Sequence, residues 1–457
     1  MLKRLGDFFA EKVSKILPDS FVFAIVLTLV TILLAVFMAG AGIKDIFAAW
    51  VKGVFDTQII MFAFLMIMVL TFGFCLGVSP PFVKFFNWLV KFINKPWQVY
   101  FSIVIVALIL MLINWGLAPV GAIFAVEVCK RVKGVDYRLA CASLYSGLLV
   151  WHGGLSASAP LMMATEETTK GLIEQGIIDK IIPVSETLLI PMNFILIAAC
   201  FILLPIIILL LKPREVDEQF DGAIQYEKTY GPIATESAAA EEEKEKKQRS
   251  LADWLNETPL VTIFIFLLCI IGFIGIMRAK GFNLAALTLL MLSLGLILHW
   301  RPINYVNTMK QAIRGSADIV LQFPLFGGIM NLFIATGLAV IFANGIVGLA
   351  SAQTVPFFSF VTSAIVNLFI PSGGGEWLVL GAPLLKAANI AGASVGKTVL
   401  AFGFGDALTN LINPFWTLAF LPIMGLVMNI RPRDFMGYTA LICIIFFIIE
   451  SIIILIV

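Results

Sequence analysis

The chain has 457 residues, 60% hydrophobic and only 13% charged, which excludes a soluble domain, where about a quarter of residues are charged. Apolar runs of about 20 residues, enough to cross a bilayer, recur from end to end; short alternating barrel strands do not, so the expected class is an all-α polytopic membrane protein with the lipid bilayer as its solvent. A net charge of +2 with no basic stripe argues for no nucleic-acid partner, and six scattered cysteines without a C-x-x-C pair read as buried thiols.

The opening "MLKRLGDFFAEKVSKILPDS" sets Leu2, Leu5, Phe8, Phe9, Val13, Ile16 and Leu17 at helical spacing among Lys and Arg. That predicts an amphipathic helix lying on the cytoplasmic surface, not a cleaved signal. Spans are expected at 20–39 and 58–78. A third run starts near Trp97, breaks at "NWGLAP" (114–119) and stops at "KRVKG". The run 137–151 meets a second break, "HGGLSASAP" (152–160), and a span at 184–211 follows. Residues 212–258 include "AAAEEEKEKKQR", lack an apolar face there, and read as a solvated linker without chemistry. Two spans (259–277 and 283–298) and an interfacial amphipathic segment (301–316) lead to a span at 317–342. The run 356–370 is interrupted by "IPSGGGEW" and resumes over 377–388. The run 395–428 breaks around "GDALTNLINPFW" (405–416), and the last span covers 435–457.

Lys and Arg in short loops set the orientation. Lys3, Arg4, Lys12 and Lys15 put the N-terminus in the cytoplasm, and counting spans keeps Lys84, Lys91 and Lys95 there. If the run 97–129 is a re-entrant hairpin, Lys130, Arg131, Lys133 and Arg138 are also inside and the acidic loop 164–176 is outside. A second hairpin over 356–388, entering from outside, keeps Arg301, Lys310, Arg314, Arg431 and Arg433 inside. The expectation is two inverted-topology repeats, 58–211 and 317–457, each with a re-entrant helical hairpin and a broken transmembrane helix. Around them lie an N-terminal helix and first span (1–57), a cytoplasmic linker (212–258) and two connecting spans with the interfacial helix (259–316). Broken helices meeting at mid-membrane in inverted repeats are the build of secondary transporters.

Unpaired backbone in lipid costs several kcal/mol per group, so four breaks at membrane depth must be buried in protein or line a wet cavity. A half-helix beginning after "PSGGG" would aim free N–H groups and a positive dipole end at a ligand, and glycine lets the backbone approach it. The candidate substrate-binding residues are Asn114, Ser156, Ser158, Ser372, Gly373, Gly374 and Gly375. The candidate ion-coupling residues are Asp406, Asn410, Asn413, Asn367, His152 and Glu376, with Thr409 beside them. The coupling ion is H⁺ or Na⁺, and a Na⁺ would sit near Asn367, Asp406 and Asn410. Intramembrane acids are functional hypotheses by default. Each also has a structural alternative: Asp406 capping its break, Glu376 capping its own half-helix, His152 packing through a hydrogen bond. Glu127 is expected to pair with Lys130 or Arg131 at helical spacing.

Two patterns mislead. "AGASVGKT" (391–398) has its glycine one residue late for a P-loop and no preceding strand. "HGGLSASAP" places His and Ser together as an intramembrane hydrolase would, with no orienting partner at readable spacing.

"LPDSFVFAIVLTLVT", "INWGLAPVGAIFAVEVCKRV", "NLFIPSGGGEW" and "NPFWTLAFLPIMGL" resemble the bacterial short-chain fatty acid transporter family over nearly the whole chain. The resemblance implies a symporter of small monocarboxylates in the bacterial cytoplasmic (inner) membrane, with a transport domain moving against a dimer scaffold and therefore a homodimer. It implies no enzyme activity and no cofactor beyond the coupling ion. It places Asn114, Ser372 to Gly375 and Asn410 to Asn413 at the site. No Arg or Lys lies at any tip, the nearest being Lys386, which suits one carboxylate better than a dicarboxylate clamp. The alternatives are a cation/proton antiporter working through Asp406, a carrier of another small organic anion, and a hydrolase using Ser156 or Ser158.

Overall fold

The protein is described by a computed structural model that covers residues 18, 20–213, 215–230, 250–280, 284–313, 317–347, 351–425 and 427–457. The N-terminal amphipathic helix, the acidic stretch 238–249 and Arg314 lie outside the described residues.

Those residues are helical almost throughout. The first part of the chain forms α1 (Ser20–Phe37), α2 (Ile43–Val54), α3 (Thr57–Gly77) and α4 (Pro80–Val90). It continues with α5 (Pro96–Ile113), α6 (Ala118–Cys129), α7 (Tyr137–Tyr145), α8 (Ser158–Met163), α9 (Glu166–Glu174) and α10 (Pro191–Leu211). The middle holds α11 (Gly222–Tyr230), α12 (Leu251–Glu257), α13 (Pro259–Lys280), α14 (Leu284–His299) and α15 (Pro302–Ala312). The last part holds α16 (Ala317–Ala335), α17 (Leu338–Val347), α18 (Val355–Val366), α19 (Gly373–Ala391), α20 (Val395–Asn410), α21 (Leu421–Met424) and α22 (Pro432–Ile456). Among the described residues, α5, α10, α13 and α22 are long and apolar enough to cross a membrane.

Prolines and polar caps punctuate the helices where the sequence breaks. Asn114 ends α5, and its side chain accepts from the Gly116 N–H at 2.8 Å, opening a short 3-10 turn. After α7 the chain tightens into a 3-10 segment over Ser146–Gly153. Ser372 starts α19, and Asn413 caps the 3-10 segment Pro414–Ala419.

Contacts at the helix ends place the hairpins. The Asp136 N–H, just beyond α6, donates to the Tyr100 hydroxyl at 2.7 Å, so the chain returns beside the start of α5. Ser359, in the second turn of α18, donates to the Thr398 carbonyl at the start of α20. The α18–α19 unit therefore also turns back on itself. The mouth of the first hairpin touches the chain beyond the C-terminal end of α10, where the Gly134 N–H donates to Asp221 at 2.6 Å. The mouth of the second lies at the other end of α10: Asn389 donates to the Ile177 carbonyl, and Gly396 abuts the Glu186 carbonyl. With 21 residues at 1.5 Å each, those ends are about 31 Å apart. The hairpin arms are unequal and in opposite order: 18 then 12 residues in the first, 12 then 19 in the second.

A second body packs against this core. α2 and α16 cross at a glycine pair, Gly53 against Gly327, so closely that a Cβ on either would collide with the other's carbonyl. Asn331 on α16 donates to the Ala49 carbonyl there, a small-residue and polar contact of the kind that joins helices in lipid. α3, α14 and α15 bury a separate small cluster around Phe72, Met291 and Tyr305.

One expectation changes. The linker is not uniformly solvated, because residues 217–230 dock on the basic loop. Asp221 is buried and accepts from the N–H groups of Gly134, Ala223 and Ile224. Phe220 lies under the Arg138 guanidinium at 3.6 Å, and Lys133 pairs with Glu227. Charge pairing and a cation–π contact hold a segment that hydropathy alone reads as loop.

Candidate functional site

The site forms where the breaks of the two halves meet. In α20, Asp406 and Asn410 stand one turn apart, and both are fully buried. Asn367, at the end of α18, turns its amide nitrogen onto the Asp406 carbonyl (3.0 Å), Thr409 Oγ1 (3.0 Å) and Asn410 Oδ1 (2.7 Å). Asn413 donates to the Asn367 carbonyl at 3.2 Å, and the Tyr145 hydroxyl lies 2.6 Å from the carbonyl oxygens of both Asn410 and Asn413. The backbone freed by the break is thus satisfied inside protein.

From the other half comes His152, with its Nε2 at 2.9 Å from Asp406 Oδ2. The imidazole is boxed in. Its ring centroid is 3.6 Å from that of Trp151, Gly403 of α20 backs onto its Cβ, and Gly373 faces its Nε2. Glu376, in the first turn of α19, points into the same group, with Asp406 and the Ser363 hydroxyl as its polar neighbours. Neither Glu376 oxygen reaches hydrogen-bonding geometry. The buried Asp406 Oδ1, Asn367 Oδ1, His152 Nδ1 and Ser363 Oγ likewise have no partner among the described residues. Two carboxyls, one imidazole and several free oxygens therefore share one water-excluded spot. Such an arrangement can take up or pass a proton, or gather oxygens around a small cation.

Ser372 caps α19 by accepting from the Gly375 N–H at 3.3 Å, while its carbonyl takes the Glu376 N–H. The Gly373 and Gly374 N–H groups have no acceptor among the described residues. Beside them a cavity of about 240 Å³ opens, lined by Pro371, Ser372, Gly375, Leu378, Met330, Phe326, Phe323, Phe415, Gly327 and Ile59. One end is a capped helix N-terminus; the rest is aliphatic and aromatic.

The structure brings Asp406, Asn410, Asn413, Asn367, His152 and Glu376 into one cluster and sets Gly373 against it. Ser372 and Gly375 line the cavity. Gly374 faces Ser158 of α8, the start of the other broken segment. Asn114 and Ser156 lie together instead, the Ser156 hydroxyl accepting from the Trp115 N–H at 3.4 Å, and neither lines the cavity. Glu376 does not cap its own helix; Ser372 does. Glu127 pairs with both Lys130 and Arg131. Sequence reasoning missed the aromatic wall: Trp115 contacts both Trp151 and Trp416, and Phe415 packs against Phe323 and Phe326. Two of these residues, Phe415 and Trp416, stand in the "NPFW" string that marks the second break.

A family model described as "Short chain fatty acid transporter" matches residues 1–457. A protein of Escherichia coli (strain K12), provisionally named a short-chain fatty acid transporter, is 31% identical over 441 residues, covering 96% of each chain. A similarly named protein of Haemophilus influenzae is 31% identical over 450 residues, covering 97% of each. Among solved structures, the YdaH transporter of Alcanivorax borkumensis matches at 12% identity, covering 96% of this chain and 97% of its own, with a TM-score of 0.38. MtrF of Neisseria gonorrhoeae, described with a class of antimetabolite efflux pumps, matches at 14% identity, covering 97% and 96%, with a TM-score of 0.36.

Proposed function

The chain belongs to the short-chain fatty acid transporter family, multi-pass membrane proteins that are transporters and not enzymes, and from that premise we propose that it is a secondary symporter of small monocarboxylates in the bacterial cytoplasmic membrane. The observation that carries this reading is the cavity at the tip of α19. Ser372 and Gly375 bring the capped, positively polarised N-terminus of α19 to its wall, which suits one carboxylate, and its apolar walls suit a short acyl tail. No cationic side chain lines it, so a second carboxylate would find no partner.

The proposed coupling ion is the proton. Asp406 lies within reach of both His152 and Glu376, and Gly373 sets His152 against the start of the substrate-binding helix. A Na⁺ reading rests on the unpartnered oxygens of Asn367 and Asp406. Proteoliposomes loaded to impose a proton or a sodium gradient separate the two. Labelled butyrate is expected to accumulate with an inward proton gradient alone. Accumulation only with sodium transfers the coupling role to that oxygen set, and no accumulation under either gradient rejects the symporter.

The two halves are proposed to be inverted repeats in a homodimer, with the N-terminus and the 212–258 linker cytoplasmic. The mouths of the two hairpins, at opposite ends of α10, support this. Cysteines introduced at Glu245 and at the exposed Ile390 test it. An impermeant thiol reagent added to whole cells should label position 390 and spare position 245. Equal labelling would remove the inverted topology.

A further inference from the structure

Next to the proposed substrate cavity runs a second one, also of about 240 Å³, lined by Ile59, Ile60, Ala63, Phe64, Ile67, Ile319, Val320, Phe323 and Pro324. It is a groove between α3 and α16 with almost no polar surface. Ile60, Phe64 and Val320 on its rim are 49%, 57% and 61% exposed, so it opens on the outside of the helices, where a bilayer would lie. Ile59 and Phe323 are the two side chains that line both spaces. Phe323 is 2% exposed and packs on Phe415 with ring centroids 4.8 Å apart. The Phe323 ring thus stands at the apolar end of the substrate cavity, with a lipid-facing groove behind it.

We propose that Phe323, with Ile59, is the partition that sets the longest acyl chain the transporter accepts. This rests on the reading of the first cavity as the monocarboxylate site. With the carboxylate held at the α19 tip, a tail grows toward Phe323 and Ile59. Each methylene that finds apolar burial strengthens binding by about fourfold. The gain ends where the tail meets the Phe323 ring, because a packed wall does not yield to an extra methylene. Behind that ring there is room for several more carbons.

The test uses the full-length protein in proteoliposomes. Unlabelled butyrate, hexanoate, octanoate and decanoate compete against uptake of labelled butyrate. In the parent, competition should rise from butyrate and then fall off within the series. Phe323→Ala should raise the octanoate-to-butyrate affinity ratio by at least about tenfold, the worth of two methylenes gaining burial. Ala63 lines only the groove. Ala63→Phe added to Phe323→Ala should refill the groove and return the ratio to the parent value, which a general loosening of the fold would not do. If Phe323→Ala fails to fold, Ile59→Ala carries the same expectation. A folded variant that keeps the parent's ratio, or a gain that Ala63→Phe does not reverse, overturns the partition and leaves the substrate reading standing. A parent that responds to no acid in the series overturns both.

Discussion

Asp406→Asn is expected to stop accumulation of labelled monocarboxylate against its gradient while weakening binding of the same acid much less. Coupling between two sites is commonly worth about 1–3 kcal/mol, so the effect of the coupling ion on substrate affinity should fall by about 5- to 150-fold. Asp406 is fully buried, holds His152 through Oδ2 and leaves Oδ1 without a partner among the described residues. Asparagine keeps the size and an oxygen for the imidazole; only the charge and the site for a proton go. The fold should therefore survive, and the change should fall on coupling. Exchange of labelled for unlabelled acid across the membrane, which needs no ion gradient, should persist. A variant that concentrates substrate as well as the parent would make Asp406 a local cap, and Glu376, whose two oxygens lack partners, would be next in line.

Much of this centre was legible before any coordinates. Asp406 and Asn410 are one turn apart, a helical spacing that names a shared face without a fold. Asn367 followed by Pro371, and Asn413 followed by Pro414, announce breaks because proline removes a donor and asparagine replaces one. The pairing of His152 with Asp406 was not legible. The two are 254 residues apart, and no period in either segment points across that distance. Glu376 was open to a capping role by position, yet the shorter Ser372 side chain reaches the Gly375 N–H and leaves the glutamate turned inward. Asn114, a candidate from its place at a break, has its oxygen in the adjacent turn, where it accepts from the Gly116 N–H. The docking of residues 217–230 was hidden for a different reason: it rests on one buried carboxylate, Asp221, accepting from three backbone N–H groups, which no hydropathy pattern records.

Gly373→Ala should cost transport at least about tenfold, although it adds a single methyl group to a helix N-terminus that tolerates alanine in isolation. A Cβ built at Gly373 would lie 2.5 Å from His152 Nε2 and 2.6 Å from Cε1, inside any real contact distance. The ring has nowhere to retreat. Trp151 lies against it with ring centroids 3.6 Å apart, and Gly403 is so close that a Cβ there would come within 3.0 Å of the His152 Cβ. Either the imidazole turns and loses Asp406, or the start of α19 moves away and carries the Gly374 N–H and the Ser372 cap with it. Overpacking of a closed site costs about 1–3 kcal/mol, and loss of a buried hydrogen bond costs a similar amount. Gly374 is the control in the same string, because a Cβ there meets only Met162 Sδ at 3.7 Å and Ser158 Cβ at 4.0 Å. Uptake and thermal melting of the two alanine variants, measured side by side, separate the causes. The expected result is a far larger loss at 373 than at 374, with both proteins folded. Equal losses would mean that the carboxylate needs bare backbone across the whole tip and that His152 plays no part in the effect. Normal transport by Gly373→Ala would show that the imidazole can leave Asp406 without consequence, and with it would go the link between the proton site and the substrate helix.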